Sequence, residues 1–413
     1  MSVPALLDHL FRHSAGQMVA TLTRVFGAAH LELAEEVVQE ALVAAMQQWS
    51  IKGVPDNPRG WLFQVARNRA LDQLRRDATL RAKEPEVVRV FSEHAETDEP
   101  SFAHELRDDQ LRMMLMCAHP AIPAESRVAL TLKTVGGFSV DEIARAFLTR
   151  KETIAQRIVR AKRFIRDEQL ALELPSRAEL PSRLDTLLDV IYLLFNEGYS
   201  AHSGEELVRH ELCAEAIRLG RTLVEHPATC EPPVEALLAL MLLQAARLPA
   251  RVDAAGELAT LEEQDRALWN QGMLAEGVRM LGRSARGERL TAYHVEAAIA
   301  SFHAMAPSFD QTDWCAIVAH YDELLELKPS PVVALNRGVA VALCESPAAG
   351  IAAIESVATH PALRNYLPLP ATLGELWLRA GDRTRAAEYF SRALELPGTM
   401  TEKRFLLRKL SKV

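Results

Sequence analysis

The chain has 413 residues, and at roughly 100–200 residues per domain this length implies several domains rather than one. A composition of 49% hydrophobic and 25% charged residues is ordinary for globular proteins and excludes a wholly disordered or fibrous chain. The formal net charge of -8 excludes a basic nucleic-acid coat, so any nucleic-acid site must be a local basic patch on an acidic body.

The N-terminal stretch MSVPALLDHLFRHSAG has no basic region followed by a long apolar one, and no uninterrupted apolar run reaches the length of a membrane span. The expectation is a cytoplasmic protein without a membrane segment. Five cysteines (Cys117, Cys213, Cys230, Cys315 and Cys344) are scattered and never form a CxxC pair. This pattern predicts neither a disulfide framework nor a zinc site, and a reducing compartment.

Strand signals are nearly absent, and the predicted fold class is all-α. In 33–48 one apolar stripe runs through Leu33, Val37, Val38, Ala41, Leu42 and Ala45. Residues 50–60 (SIKGVPDNPRG) are rich in Pro and Gly and predict a loop between helices. A second stripe in 60–74 uses Trp61, Leu62, Val65, Ala66, Leu71 and Leu74. The weakly periodic acidic run 81–101 reads as a linker, and the near-repeat ELPSRAELPS at 173–182 marks a second boundary. The predicted domains are 1–80, then 102–172, a helical extension over 183–290, and 291–413. In this last part LLELKP, the weaker echo ATHP and ALELP end at Pro329, Pro361 and Pro397, spacings of 32 and 36 residues that lie near the ~34-residue period of tetratricopeptide (TPR) repeats. TPR-like small and aromatic positions accompany them: Ala334, Asn336, Gly338 and Ala340, then Leu373, Gly374, Leu376, Ala386, Tyr389, Phe390 and Ala393.

The segment 137–167 is the most specific feature. Ser139 and Glu142 have the spacing of a capping box, and Ile143, Ala144 and Phe147 give the first helix its buried side. After a turn at Leu148–Thr149, a second helix runs from Lys151 to Arg166 with Ile154, Ile158, Val159 and Phe164 as its apolar positions. This is helix-turn-helix geometry, with the second helix suited to the major groove. Its polar face carries Arg150, Lys151, Gln156, Arg157, Arg160, Lys162, Arg163 and Arg166 against one acid, Glu152. Arg and Gln can read guanine and adenine edges, and Lys can hold phosphates.

A second basic face, Arg67, Asn68, Arg69, Asp72, Arg75 and Arg76, lies on the helix that begins beside Trp61. Trp61 is either a stacking platform for an unpaired base or a core residue. Glu35, Glu36, Gln39 and Glu40 form an acidic patch on the preceding helix. Neither a Walker loop, nor HExxH, nor GxSxG is present. No catalytic residue, metal site or cofactor is expected, and His202, His210 and Cys213 cluster only loosely, as structural residues do.

The order VVQEA, NPRGWLFQVARNRALDQLRR, acidic linker, IPAESRVALTLKTVGGFSVDEIA and TIAQRIVRAKRFIR resembles the extracytoplasmic-function (ECF) sigma factors of bacterial RNA polymerase over about residues 1–170. YLLFNEGY (192–199) and the TPR-like end resemble the subgroup with a long C-terminal extension. The resemblance implies sigma region 2 over 1–80 and region 4 over 102–172, with RNA polymerase core and promoter DNA as partners. Glu36, Gln39 and Glu40 would dock on the clamp helices of β′, and region 4 would meet the β flap. Trp61, Arg67, Asn68, Asp72, Arg75 and Arg76 would serve the −10 element. Gln156, Arg157 and Arg160 would read −35 bases, while Lys151, Thr153 and Arg163 hold phosphates. The linker would thread through the polymerase. Ordinary members of the family stop near residue 170 and are restrained by a separate anti-sigma protein, so the extension would regulate promoter binding or recruit a partner, and a small YCII-like protein is an implied associate. Two other readings stay open on sequence: a helix-turn-helix regulator with a helical sensor domain, and a TPR-type scaffold with an incidental basic helix.

Overall fold

The computed structural model describes residues 15–76, 85, 100–147, 149–199, 210–251 and 257–413, with Arg59, Leu74, Arg76, 100–107 and Arg145 described by their backbone alone. Most of the predicted linker, the turn residue Leu148 and His202 therefore lie outside the described residues. Among the described residues there is no strand, as an all-α fold requires.

The chain forms two compact units, residues 1–193 and 194–413. The first holds α1 (Gly16–Phe26), α2 (Leu31–Lys52), α3 (Pro58–Arg76), α4 (Pro100–Cys117), α5 (Ala124–Thr134), α6 (Val140–Ala146) and α7 (Lys151–Asp167). The predicted stripe of α2 is buried at Val37, Val38, Ala41, Leu42 and Ala45, and continues at both ends through Leu31, Ala34 and Trp49. The expected loop 50–60 shrinks to 53–57, because α2 runs on to Lys52 and α3 starts at Pro58. Gly53 stops α2 at φ +81°, and Asn57 starts α3 by accepting a 2.8 Å hydrogen bond from the Gly60 N–H through its Oδ1. Likewise α4 begins at Pro100, which takes the last two residues of the predicted linker into a helix.

Two ion links join segments far apart in sequence within this unit. Asp109 of α4 is buried and receives Arg24 of α1 at 2.9 Å and Arg112 at 2.8 Å. Glu35 of α2 receives Lys162 of α7 at 2.6 Å, with the two side chains only 12% and 13% exposed. The two predicted nucleic-acid segments are thus packed into one body.

Helix α8 (Leu180–Tyr199) carries the boundary between the units. The second unit continues with α9 (His210–Glu225), α10 (Pro232–Ala245), α11 (Gln271–Ser284), α12 (Ala292–Met305), α13 (Trp314–Leu327), α14 (Pro331–Cys344), α15 (Pro347–Glu355), α16 (Pro368–Arg379), α17 (Arg383–Leu394) and α18 (Met400–Leu410). Residues 232–250, containing α10, are long and apolar enough to cross a membrane by length and composition, but 78% of that window is buried inside the fold. It is the central helix, covered by α9, α11 and α12. Its one carboxylate, Glu235, is fully buried and held by Arg283 at 2.7 Å and Arg286 at 2.5 Å. In the YLLFNEGY segment, Phe195 is core and Gly198 lets α8 approach α9, since a Cβ there would meet the Cys213 nitrogen at 2.8 Å.

From α12 to α18 each helix packs chiefly on its neighbours in the chain, the hallmark of a solenoid. Three overlapping apolar clusters follow one another: Val295–Ala340 through α12–α14, Leu335–Leu376 through α14–α16, and Leu367–Leu406 around α16–α18. The small positions seen in the sequence set the helix spacing. A Cβ on Gly338 would meet Ile354 at 2.4 Å, and one on Gly374 would meet Phe390 at 2.7 Å.

The cysteine expectation is corrected here. Cys315 and Cys344 form a disulfide with Cα atoms 5.1 Å apart, while Cys117, Cys213 and Cys230 are free. A search for CxxC sees only sequence neighbours. The α13–α14 hairpin instead brings the first turn of one helix to the last turn of the next, 29 residues away.

Candidate nucleic-acid interface

Helices α6 and α7 form the predicted helix-turn-helix. The Ser139 N–H donates to Glu142 at 2.8 Å and the Glu142 N–H donates to the Ser139 hydroxyl at 3.1 Å, which is the expected capping box. Ile154, Ile158, Ala161 and Ile165 bury α7 against α5 and α6. This corrects the apolar assignment: Val159 is 50% exposed and Phe164 is half-buried beside His119.

The basic residues of α7 divide by their partners. Lys151 reaches Asp141 at 2.8 Å, and Lys162 is committed to Glu35. Arg157 is paired with Glu125 and its side chain is only 22% exposed, so it faces α5 rather than the outer surface. Gln156, Val159, Arg160 and Arg163 remain on one exposed face, with i, i+3, i+4, i+7 spacing. Thr153 is half-buried beside that face. Val159 is the residue that sequence reasoning misplaced: its apolar type suggested core, whereas its register puts it between Gln156 and Arg163, where a thymine methyl is a suitable partner.

On α3, Asn68, Arg69, Asp72 and Arg75 are exposed and Arg67 is half-buried. Arg69 lies 3.6 Å from Glu40, and Arg75 lies 4.0 Å from Asp72. Trp61 is neither sealed core nor a free platform. It is half-buried with its ring 5.4 Å from that of Trp49 in an edge arrangement, so Trp49 buttresses it and leaves part of it accessible. The side chain of Arg76 lies outside the described residues.

On α2 the acidic patch also separates. Glu35 is taken by Lys162 and Glu40 faces Arg69, while Glu36 and Gln39 are exposed. They continue into Val43, 53% exposed, and Met46, 57% exposed, at i+7 and i+10 from Glu36. The open face of α2 is therefore mixed, with two acidic or polar residues followed by two apolar ones. The charge pattern showed the first half, while Val43 and Met46, off the apolar stripe of α2, carry no charge to mark them as part of that face. Among the described residues no group of three or more His, Cys, Asp or Glu side chains could hold a metal ion.

Comparison with known proteins agrees with this layout. Residues 10–79 match the family described as Sigma-70 region 2, and 112–165 match Sigma-70, region 4. Residues 183–285 match a family of unknown function, DUF6596. An uncharacterized protein of Rhizobium meliloti is 40% identical over 398 residues, which cover 95% of this chain and 92% of the relative. The ECF RNA polymerase sigma factor SigL of Mycobacterium tuberculosis is 31% identical over 163 residues, 39% of this chain and 88% of the relative. The corresponding factor SigE of Mycolicibacterium smegmatis is 27% identical over 161 residues, 39% of this chain and 60% of the relative. With both sigma regions in order and most of one such factor matched, the chain belongs to the ECF sigma factors of the sigma-70 family.

Proposed function

We propose that this sigma factor directs RNA polymerase core to promoters by reading two DNA elements with two helices and docking through a third. The observation that carries the reading is the pair of open cationic faces on α3 and α7 beside the mixed face of α2. On α7, Gln156, Arg160 and Arg163 face DNA with Val159 among them, and Lys151 and Thr153 flank them as backbone contacts. Arg157 positions α7 against α5 through Glu125 instead of reading bases. On α3, Trp61 stacks a base freed from the −10 duplex, and Arg67, Asn68, Asp72, Arg75 and Arg76 hold the opened strand. Glu36, Gln39 and Glu40, extended by Val43 and Met46, meet the β′ clamp helices, and region 4 meets the β flap. The chain contributes recognition and strand capture, and bond formation belongs to the polymerase in the cytoplasm.

The first unit needs to open for this. The −35 and −10 elements lie about 25 base pairs apart, roughly 85 Å of duplex at 3.4 Å per pair. Helix α7 is only about 26 Å long, and its Lys162 touches Glu35 of α2, the helix against which α3 packs. Two faces held this closely do not reach both elements, so breaking Glu35–Lys162 and Arg24–Asp109 accompanies promoter binding. The C-terminal unit, we infer, biases this opening or recruits a partner such as a YCII-like protein.

The test is transcription in vitro with bacterial core polymerase and promoter DNA, with and without residues 183–413. Promoter-specific transcripts that require the chain are expected, and the truncation gives the sign of C-terminal control. No transcript from either form, together with tight duplex binding by the chain alone, would replace this reading with that of a conventional regulator.

A further inference from the structure

The second unit contains a cavity of about 430 Å³, within the range of small-molecule sites. Its walls are largely apolar, with Trp314, Tyr321, Val339, Leu343, Ala371 and Phe405 among them. One side is closed by the strap 258–262, whose Leu258 and Leu261 face the cavity. The strap is tied down from two helices. Arg379 of α16 pairs with Glu262, and Arg408 of α18 donates to the Leu258 carbonyl at 3.0 Å and pairs with Glu257 at 3.2 Å. These ties hold the strap against one side of the cavity.

The polar lining indicates what the pocket takes. Its charged groups lie in ion pairs or caps inside the protein: Glu375 has Lys409 at 3.0 Å, though its Oε2 accepts no hydrogen bond, Arg379 has Glu262, and Glu402 closes the capping box at Thr399. A charged ligand would have to compete with these pairs. The neutral Asn336 amide, by contrast, is exposed in the lining with no hydrogen bond among the described residues. A neutral ligand with one hydrogen-bonding group can pair with that amide.

We propose that this cavity is a binding site for a neutral, mainly apolar small molecule carrying a single hydrogen-bonding end, closed on one side by the 258–262 strap. The site is independent of the DNA-reading helices, so its failure would leave the sigma assignment untouched.

The probe is N-phenyl-1-naphthylamine, which is neutral, apolar and fluorescent in dry sites, titrated into the full chain without DNA. One saturable site per chain is expected. Ala371→Trp, which fills the cavity from a half-buried position, should weaken binding at least tenfold with helix content unchanged in circular dichroism. Asn336→Ala should weaken it roughly fivefold, the loss of one ordinary hydrogen bond. Should Ala371→Trp lower the helix signal, Leu343→Phe is the second filler with the same expected loss. Absence of saturable binding, or binding that both fillers leave unchanged, would overturn the proposal.

Discussion

The two units are held together in different ways. In the first, segments far apart in the chain meet through packing of α1 on α4 and α5 and through two ion pairs, Arg24 with Asp109, 85 residues later, and Glu35 with Lys162, 127 residues later. In the second, helices from α12 onward pack chiefly on their chain neighbours, and a disulfide joins positions 29 apart. Where distant segments meet at ion pairs, a partner that competes for those pairs can loosen the contact. The neighbour packing from α12 to α18 does not depend on such pairs, and in the second unit the long-range ties of Arg379 and Arg408 hold the strap. The difference matches the proposed division of labour, in which one unit changes arrangement on promoter binding and the other keeps a pocket in shape.

This contrast can be broken or sharpened by experiment. The largest effect is expected from Lys162→Ala, which leaves Glu35 buried without its cation. Removing one partner of a buried pair costs about 3–5 kcal/mol, so the urea midpoint of the first unit should drop. The double variant Glu35→Leu, Lys162→Met should recover most of that loss. If the single variant unfolds like the parent, the ion pair is not what closes the first unit. Next, reduction of Cys315–Cys344, or Cys315→Ser, should destabilise the second unit by about 3–4 kcal/mol on the chain-entropy view of a loop of this length. An unchanged thermal midpoint in dithiothreitol would show that the neighbour packing suffices alone. The buried thiols of Cys117 and Cys213, both pushed up to about 12 by burial, should stay unreactive throughout.

Intermediate effects are expected on α7. Arg160→Ala should cost about 1–3 kcal/mol in promoter affinity and relax sequence preference, whereas Lys151→Ala, already paired with Asp141, should cost under about 1 kcal/mol. Equal losses would mean that internal pairing does not sort the cations of α7.

A smaller effect concerns pH. Burial, reinforced by Arg247 and Arg266, pushes His303 down to about 3 from 6.5. Between these values the unfolded chain binds a proton that the folded one excludes. The second unit is therefore most stable above 6.5 and weakens as pH falls, by about 1 kcal/mol one pH unit below that value. His294, lowered mainly by burial, adds in the same direction. His303→Phe should flatten the slope of chemical-denaturation midpoint against pH, and an unchanged slope would remove His303 as its cause. The smallest effect is expected from Val159→Ala, at most about 1 kcal/mol in promoter affinity and confined to sites with a thymine at the contacted position.

The helices themselves were legible in the sequence because their stripes are strong. The register of Val37, Val38, Ala41 and Leu42 and the Ser139–Glu142 box are local signals, and local signals survive folding. What remained hidden depends on contacts between segments. Arg157 and Lys162 look like DNA readers until Glu125 and Glu35 arrive to occupy them. Val159 looks like core until the packing leaves it outside. Cys315 and Cys344 look unrelated until a hairpin aligns them. Residue type gives the chemistry a position can perform, and only the tertiary contacts show which of it is already spent inside the protein.

The 127-residue gap between Glu35 and Lys162 also has a meaning in time. A ribosome adding roughly 5–20 residues per second takes about 6–25 s to cover that distance. For that interval α2 is outside the ribosome with Glu35 unpaired. The helices of the second unit, whose main partners follow closely in the chain, find them within a few seconds. A newly made molecule therefore passes through a state in which α2 exists before the ion pair that fastens it to α7, so the closing contact of the first unit forms late in synthesis.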